Sequence, residues 1–473
     1  MNKRKLKFST CLSYGVGAVG EGIGYNFFFT FFTFFLTTEA GVAPAIAGVI
    51  SGIAVLWDAI TDPIIGSWSD HTRNPKGRRR PLIAKGSILF GLSVALLFCN
   101  IPVSVPVKVV FFIAVNMIYW LTMTTCVIPH ISLGSELTED FDERTKLRTF
   151  SVTFMGIGTL IAVGTPLLLV DAYTSMTGSS TAGWALAGLT YGALTAAAYQ
   201  ICSHFLKGKE PKNPNLALTG EPPKRKELVH NFLSDAKSAF KNKSLFRLIM
   251  ITFFVNIVVT LGSALAVFLL QYVYEFNDAQ SSLVMTLQGI FVVLAAVVAG
   301  ALAAKLDKKL VMILSVIVYA LAYVIILVLP IAWPVIIAST VLFALGNSGY
   351  WTMIYAMSYD SAMVEQVRSG EKPDGLYTSL IGLFMKFGNA LGSVVSGVGL
   401  QIIGFSEETQ IQTAGAITGI RYLYALAPTL FLVIALIFAV AYPLTRKRYE
   451  ALSAEHEKRL ANEPIDKKVL EGL

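Results

Sequence analysis

The sequence predicts an all-α integral membrane protein whose twelve transmembrane helices form two six-helix halves. Three observations carry that prediction. Of the 473 residues, 54% are hydrophobic and 14% charged, against about 25% charged in soluble domains, which leaves too little polar side chain to cover a water-exposed surface. Apolar runs of the roughly 20 residues needed to cross a hydrocarbon core recur from end to end. The basic residues are partitioned: Lys and Arg gather at the N-terminus, in the even-numbered connections with their flanking turns, and in the C-terminal tail. Lys108, Lys386 and Arg421 stand apart, while Asp171 to Gly183 and Glu275 to Gln280 carry no base.

Taken in order, the runs place spans near 11–37, 45–68, 82–101, 107–129, 149–170, 182–204, 245–273, 281–304, 309–330, 333–360, 375–403 and 420–443. The first is too long for a signal peptide, lacks a small-residue cleavage site and leads directly into the second, so it is expected to remain in the protein. Cys11, Cys99, Cys126 and Cys202 have no ligand-like spacing and are expected to be reduced core thiols. The positive-inside bias puts both termini in the cytoplasm, and it accounts for a net charge of +8 without a nucleic-acid partner.

Residues 205–244 divide the spans six and six and open with Lys, Pro and Glu. The expected organisation is an N-terminal half (1–204), a cytoplasmic linker (205–244), a C-terminal half (245–443) and a cytoplasmic tail (444–473). Within the linker, Leu228, Phe232, Leu233, Ala236 and Phe240 recur at helical spacing opposite Lys237, Lys241 and Lys243, which predicts an amphipathic surface helix. A faint repeat joins the halves: Gly66 to Asp70, followed by Arg78-Arg79-Arg80, is echoed by Gly300 to Lys305, followed by Asp307-Lys308-Lys309. Two parallel six-helix halves with such a turn at corresponding places describe the major facilitator fold.

An ionised side chain at the bilayer centre costs at least about 2.5–3.5 kcal/mol, so each one needs a reason. The spans hold Glu21, Asp58, Asp62, Asp360 and Lys386. Asp58 and Asp62 are four residues apart, which stacks their carboxylates on one helix face. Like charges so placed repel unless a cation lies between them or one is protonated, so the pair is a candidate site for Na⁺, Li⁺ or H⁺. Thr61 and Thr124 could add oxygens. The alternative is a purely structural role, the pair being bridged by Lys386 or by a cytoplasmic Arg.

A lone buried lysine would lose its proton, so Lys386 is expected to reach the pair, either as a coupling residue or as a fixed ion partner. Glu21 lies in a glycine-rich stretch, Gly15 to Gly22, that lets helices approach closely; it faces either the solute cavity or an interface. Tyr25, Asn26, Tyr119, Trp120, Asn347, Tyr350, Trp351 and Asn389 could line a cavity for a sugar-like solute, although aromatics in membrane helices more often pack or mark the interface. Phe27 to Phe35 reads as packing or lipid-facing surface. His130 beside Ser132 is the one catalytic pairing in reach, and it has no acid at a recognisable spacing.

At these residues the chain resembles the glycoside–pentoside–hexuronide:cation symporters, the family of the melibiose permease. The resemblance rests on Tyr14 to Gly17, on Trp57-Asp58-Ala59-Ile60-Thr61-Asp62-Pro63 with Gly66, Ser69 to Thr72 and Gly77 to Pro81, on Glu136 to Thr138 with Glu143 to Leu147, and on Asp360, Gly370, Gly375 to Tyr377 and Lys386 to Gly388. It implies that Asp58 and Asp62 form the cation site, that Thr124 joins it and that Lys386 is the helix-eleven lysine. It also shows a departure. The family's sugar-binding acids and arginine fall on Gly22, Val127 and Val152, so galactoside recognition of that kind is absent while the coupling chemistry is retained.

The function expected from the sequence is symport, by alternating access, of a sugar, glycoside or related small polar solute with a monovalent cation, in the bacterial inner membrane. The protein is expected to be a monomer without a resident cofactor or enzymatic activity. The nearest alternative is the same fold carrying an amphiphilic or lysolipid-like solute.

Overall fold

The computed structural model describes residues 6–138, 140–210, 239–370, 374–409, 411–461, 463–464 and 466–472. Among them are fourteen α-helices: α1 (Phe8–Thr38), α2 (Pro44–Asp70), α3 (Arg80–Leu97), α4 (Val105–Glu136), α5 (Phe141–Gly164), α6 (Pro166–Thr177), α7 (Ser180–Phe205), α8 (Lys243–Phe268), α9 (Asp278–Lys305), α10 (Lys308–Val328), α11 (Trp333–Arg368), α12 (Asp374–Ile402), α13 (Ala414–Ala441) and α14 (Arg446–Leu460). Ten of these described helices are long and apolar enough to cross a membrane. With α1 and α7, which pack along α5 and α3 respectively, they make the twelve spans. Most of the expected linker helix, Leu228 to Lys237, lies outside the described residues.

Proline sets several helix starts. Pro44, Pro81, Pro106, Pro166 and Pro334 all occupy the first turn of their helices, where a missing N–H costs nothing and φ is already helical. At Pro166 the effect reshapes the fifth span. It runs from 141 to 177 with a break at Thr165 and ends on Gly178 at φ +70°. The connection read as 171–183 therefore shrinks to two residues, because polar positions such as Asp171 and Thr174 continue the helix beyond the oil. The tenth span likewise extends to Arg368.

The chain gathers into two units, one of Met1–Pro222, Ser263–Gly289 and Ser393–Ile420, the other of Pro223–Gly262, Ile290–Gly392 and Arg421–Leu473. In the first unit the odd-connection ends of α8, α9, α12 and α13 pack with the first seven helices. The core there is aromatic: Phe27, Phe31, Phe32 and Phe35 are at most 1% exposed, and their rings meet Phe98, Phe112, Trp184 and Tyr191. The phenylalanine run is thus packing rather than lipid-facing surface. Lipid-facing side chains are instead aliphatic, as on α2, where Ile53, Leu56 and Ile60 are all more than 40% exposed.

The same unit is closed at its odd-connection end. A Cβ on Gly48 would lie 2.6 Å from the Ser393 carbonyl oxygen and 3.0 Å from the Gly397 Cα, so α2 and α12 touch backbone to backbone, which only glycine permits. Phe34 meets Phe268 edge to face at 5.1 Å, and Gln401 accepts from the Ala45 N–H at 3.2 Å. In the second unit α10 and α11 pack together and α14 lies against α11, tied by Arg459 donating to the Val367 carbonyl at 2.7 Å.

Candidate functional site

The exposed aliphatic stripe of α2 fixes where its acids go. Asp58 is two residues from both Leu56 and Ile60, about 200° around the helix from each, so lipid on one face puts the carboxylate on the other. There it meets α4. Thr124 Oγ1 lies 2.5 Å from Asp58 Oδ1 and 3.0 Å from Asp62 Oδ1, and Asp58 is only 4% exposed. The two carboxylate oxygens are therefore no more than 5.5 Å apart, the sum of those distances.

A hydroxyl has one proton and cannot satisfy two carboxylates together. Hard cations bind oxygens at roughly 2.3–2.6 Å, a length compatible with this separation. Pro63 contributes as well: it has no N–H for the Ala59 carbonyl, which loses its helical partner between the two acids. Among the described residues no group of three or more His, Cys, Asp or Glu side chains could hold a metal ion. Thr61 is placed differently from Thr124. Its hydroxyl donates to the Asp58 backbone carbonyl at 3.2 Å, within its own helix.

The other sequence-selected residues separate into packed and open positions. Tyr119 is 1% exposed and its hydroxyl donates to the Gly24 carbonyl at 2.7 Å, so it ties α4 to α1 as a core residue. Asn26 donates to the Gly22 carbonyl at 2.9 Å and to Thr159 at 3.0 Å, joining α1 to α5. Tyr25 stands edge to face with Trp120 at 6.3 Å, and the buried Trp120 Nε1 has no acceptor among the described residues. In the second unit, Trp351 meets Tyr350 edge to face, Asn389 accepts from Thr260 at 3.0 Å, and Lys386 is half-buried on α12. His130 is a core residue: its ring stacks on Tyr14 at 4.4 Å and its Nε2 sits 2.9 Å from the Tyr14 carbonyl oxygen, which leaves no catalytic pairing with Ser132.

Glu21 takes its setting from its neighbour. A Cβ on Gly22 would lie 2.3 Å from the Met155 carbonyl oxygen, so position 22 is a helix contact and cannot hold an acid. Glu21, about 100° around the helix, is free of that contact. The charge that acts on it is the Arg148 guanidinium of α5. Arg148 reads in the sequence as one more base of an even-numbered connection, and α5, beginning at 141, carries it on its first turns.

At the even-connection end the basic turn is an ion-pair network. Arg79, 4% exposed, bonds Glu136 at 2.8 Å, Ser69 at 2.5 Å and Asp70; Arg78 shares Glu136 at 2.8 Å. Arg80 faces Glu210 at 3.2 Å. Burial outweighs that arginine, and the Glu210 carboxyl is pushed up to about 7. At the opposite end a cavity of roughly 530 Å³ is lined by Glu39, Asp171, Asp278, Glu407 and Glu408 with Trp184 and Tyr272 and, among the described residues, by no Lys or Arg.

Comparison with known proteins agrees with this architecture. The chain is 26% identical to an uncharacterized symporter of Synechocystis, covering 98% of this chain and 99% of the relative. It is 25% identical to the isoprimeverose transporter of Lactiplantibacillus pentosus, over 96% of this chain and 93% of that one. A crystal structure of a D-xylose-proton symporter shares the fold at TM-score 0.63 and 14% identity, covering 90% of this chain and 97% of that one. The family model described as MFS/sugar transport protein matches residues 13–446, nearly the whole length; the chain belongs to that family of major facilitator transporters.

Proposed function

We propose that the protein is a secondary active transporter that moves a sugar, glycoside or related small polar solute together with Na⁺ or H⁺ by alternating access. One observation carries the reading: a single threonine hydroxyl lies within hydrogen-bond reach of two carboxylates one helical turn apart, which gathers oxygen ligands from two helices as a monovalent cation site requires. The cation enters between Asp58 and Asp62, with Thr124 beside them and Thr61 on the same turn. It cancels their repulsion and favours the state in which the solute cavity is formed, and the two six-helix halves on either side of 205–244 then rock about that site.

Lys386 is the coupling residue of this scheme, sensing through charge whether the cation is present. Glu21, Tyr25, Asn26, Trp120, Trp351 and Asn389 are the candidate solute contacts; Tyr119 supports them from the core. The relatives named as symporters and transporters and the positive-inside bias support a place in the bacterial inner membrane with both termini in the cytoplasm, the chain acting as a monomer without a resident cofactor. The packed odd-connection end is one of the two alternating closures, and the acidic cavity there raises the local cation concentration.

The test is uptake into proteoliposomes under an imposed Na⁺ or H⁺ gradient. Accumulation should be lost in the Asp58→Asn, Asp62→Asn double variant while the protein remains folded and monodisperse. Uptake by the double variant equal to that of the native chain would contradict the proposal.

A further inference from the structure

The seam between α3 and α7, within the first unit, opens onto the membrane with one base set into it. The two helices run antiparallel and are tied at their even-connection ends. Gln200 donates to the Ala84 carbonyl at 2.5 Å and to Ser87 at 2.9 Å, and Ser203 donates to the Arg80 carbonyl at 3.3 Å. Further along, a Cβ on Gly91 would lie 2.4 Å from the Gly192 carbonyl oxygen, so the backbones touch. One face of the pair is covered by α1 and α4, where Phe90 abuts Gly24 and Gly86 abuts Thr125 and Cys126. On the other, Ile88, Leu89 and Leu92 of α3 and Phe205 of α7 are each more than half exposed, with Ile201 exposed beside them.

Lys85 belongs to that open face. It precedes Ile88, Leu89 and Leu92 at the spacing of one helical stripe, it is exposed, and its ammonium makes no hydrogen bond or ion pair among the described residues. Its Cα lies about 7.5 Å further along α3 than that of Arg80, at a rise of roughly 1.5 Å per residue, and so deeper in the bilayer than the basic turn. Helical side chains lean toward the N-terminus of their helix, which for α3 is the even-connection end. The lysine head is thereby carried down the seam, toward the exposed His204 near the end of α7 and the exposed Lys207 and Lys209 that follow it.

The charges along the seam are unbalanced. α3, α7 and residues 206–210 carry four bases, Arg80, Lys85, Lys207 and Lys209, and one acid, Glu210, which Arg80 faces at 3.2 Å. The turn before α3 adds Arg73, Lys76, Arg78 and Arg79 and no acid, and the acids it meets, Glu136 and Asp70, are held by Arg78 and Arg79. Among the described residues, no acid is left for Lys85. An ammonium on a lipid-facing stripe requires an anion or water at its head, and an aliphatic wall rimmed by bases attracts anionic lipid.

We infer that the α3–α7 seam binds one anionic phospholipid of the even-connection leaflet. Lys85 donates to the phosphate from the bilayer side, His204 and Lys207 donate to the headgroup from the water side, and an acyl chain lies along Ile88, Leu89 and Leu92 against Ile201. A zwitterionic lipid brings its own ammonium into the basic rim and is disfavoured there. A free phosphate ester supplies the charge but leaves the aliphatic wall uncovered. The site is separate from the Asp58 and Asp62 pair and depends on neither the solute nor the ion of the proposed transport.

The test is native mass spectrometry of the full chain in detergent, titrated with phosphatidylglycerol or phosphatidylcholine of matched acyl chains. The native chain should bind its first phosphatidylglycerol at least about tenfold more tightly than its first phosphatidylcholine. Lys85→Gln should weaken that first phosphatidylglycerol by about 10- to 100-fold, the range for losing a hydrogen bond to a charged group, while Lys85→Arg keeps it. Lys305→Gln, which removes a base from the end of α9, should leave native binding in place. If Lys85→Gln fails to fold, Lys207→Gln is measured instead, with a loss of about tenfold expected. Equal affinity of the native chain for the two lipids, native affinity in the seam variant, or an equal loss in Lys305→Gln overturns the site. Displacement of the bound lipid by excess glycerol phosphate also overturns it, since the seam would then read a soluble phosphate ester.

Discussion

The second and fourth spans of each half make a natural comparison, because the turn after the second span is echoed between them. Setting Gly66 against Gly300 places Asp58 opposite Val292 and Asp62 opposite Ala296. In the first half the α4 hydroxyl of Thr124 reaches two carboxylates. In the second, the α11 hydroxyl of Ser348 donates to the Val292 backbone carbonyl at 2.9 Å. One architecture thus does two jobs. Where α9 carries Val and Ala the hydroxyl ties helices together through a backbone carbonyl, and where α2 carries two acids the α4 hydroxyl meets both carboxylates, the arrangement proposed as the ion site.

The basic turns differ in the same direction. Arg78, Arg79 and Arg80 enter a network with Glu136, Asp70 and Glu210 that is centred on the buried Arg79. Lys308 makes a single half-exposed pair with Asp360 at 2.8 Å, and Asp307 instead caps the start of α10 and accepts from the Arg446 N–H at 2.8 Å. Asp360 is itself only 8% exposed, so the second half holds one partly buried pair where the first holds a network of shared partners.

The largest effect expected from this asymmetry is at Asp58. Asp58→Asn should weaken cation-induced stabilisation by about 10- to 100-fold in apparent affinity, measured as the midpoint of a thermal-shift titration, whereas Val292→Asn should leave that midpoint in place. Thr124→Val, which keeps the side-chain shape and removes the donor, should raise the midpoint by roughly tenfold. A smaller change is expected at the mirrored hydroxyl. Ser348→Ala should cost about 0.6 kcal/mol, the mean for hydrogen bonds between membrane helices, in a reversible unfolding assay, with the cation midpoint unchanged. A cation effect at Ser348 equal to that at Thr124 would break the comparison.

The smallest effect concerns the basic-turn network. The Glu210 carboxyl titrates near 7 in the folded chain against about 4.3 when unfolded. The folded state therefore holds the extra proton between those values, and Glu210's contribution to stability is fully present below about pH 4.3 and lost as pH rises through 7. Glu210→Gln should flatten the melting temperature against pH across that window. A slope identical to that of the native chain would mean that Glu210 is not the group responsible.

Much of this was legible in the chain. Twelve spans announce themselves because oil requires about 20 apolar residues per crossing. The Asp58 and Asp62 pair is conspicuous because carboxylates there are costly, and Thr124 is within hydrogen-bond reach of both. Other features need coordinates. Arg148 looks like a loop base until α5 is seen to begin at 141, and Tyr119 looks like a cavity residue until its hydroxyl is found on the Gly24 carbonyl. Sequence periodicity cannot distinguish Glu21 from Gly22, one residue away; the Met155 carbonyl pressed against Gly22 does.

The most direct test of the ion site is calorimetric titration of the purified protein with NaCl at fixed pH, repeated at several pH values in buffers free of Na⁺ and compared with the Asp58→Asn, Asp62→Asn double variant. In the native chain one saturable Na⁺-binding event that weakens as pH falls is expected or, for an H⁺-coupled protein, one proton uptake in a parallel acid titration, and neither in the double variant. The same event with the same stoichiometry in both proteins would contradict an ion held between these two carboxylates.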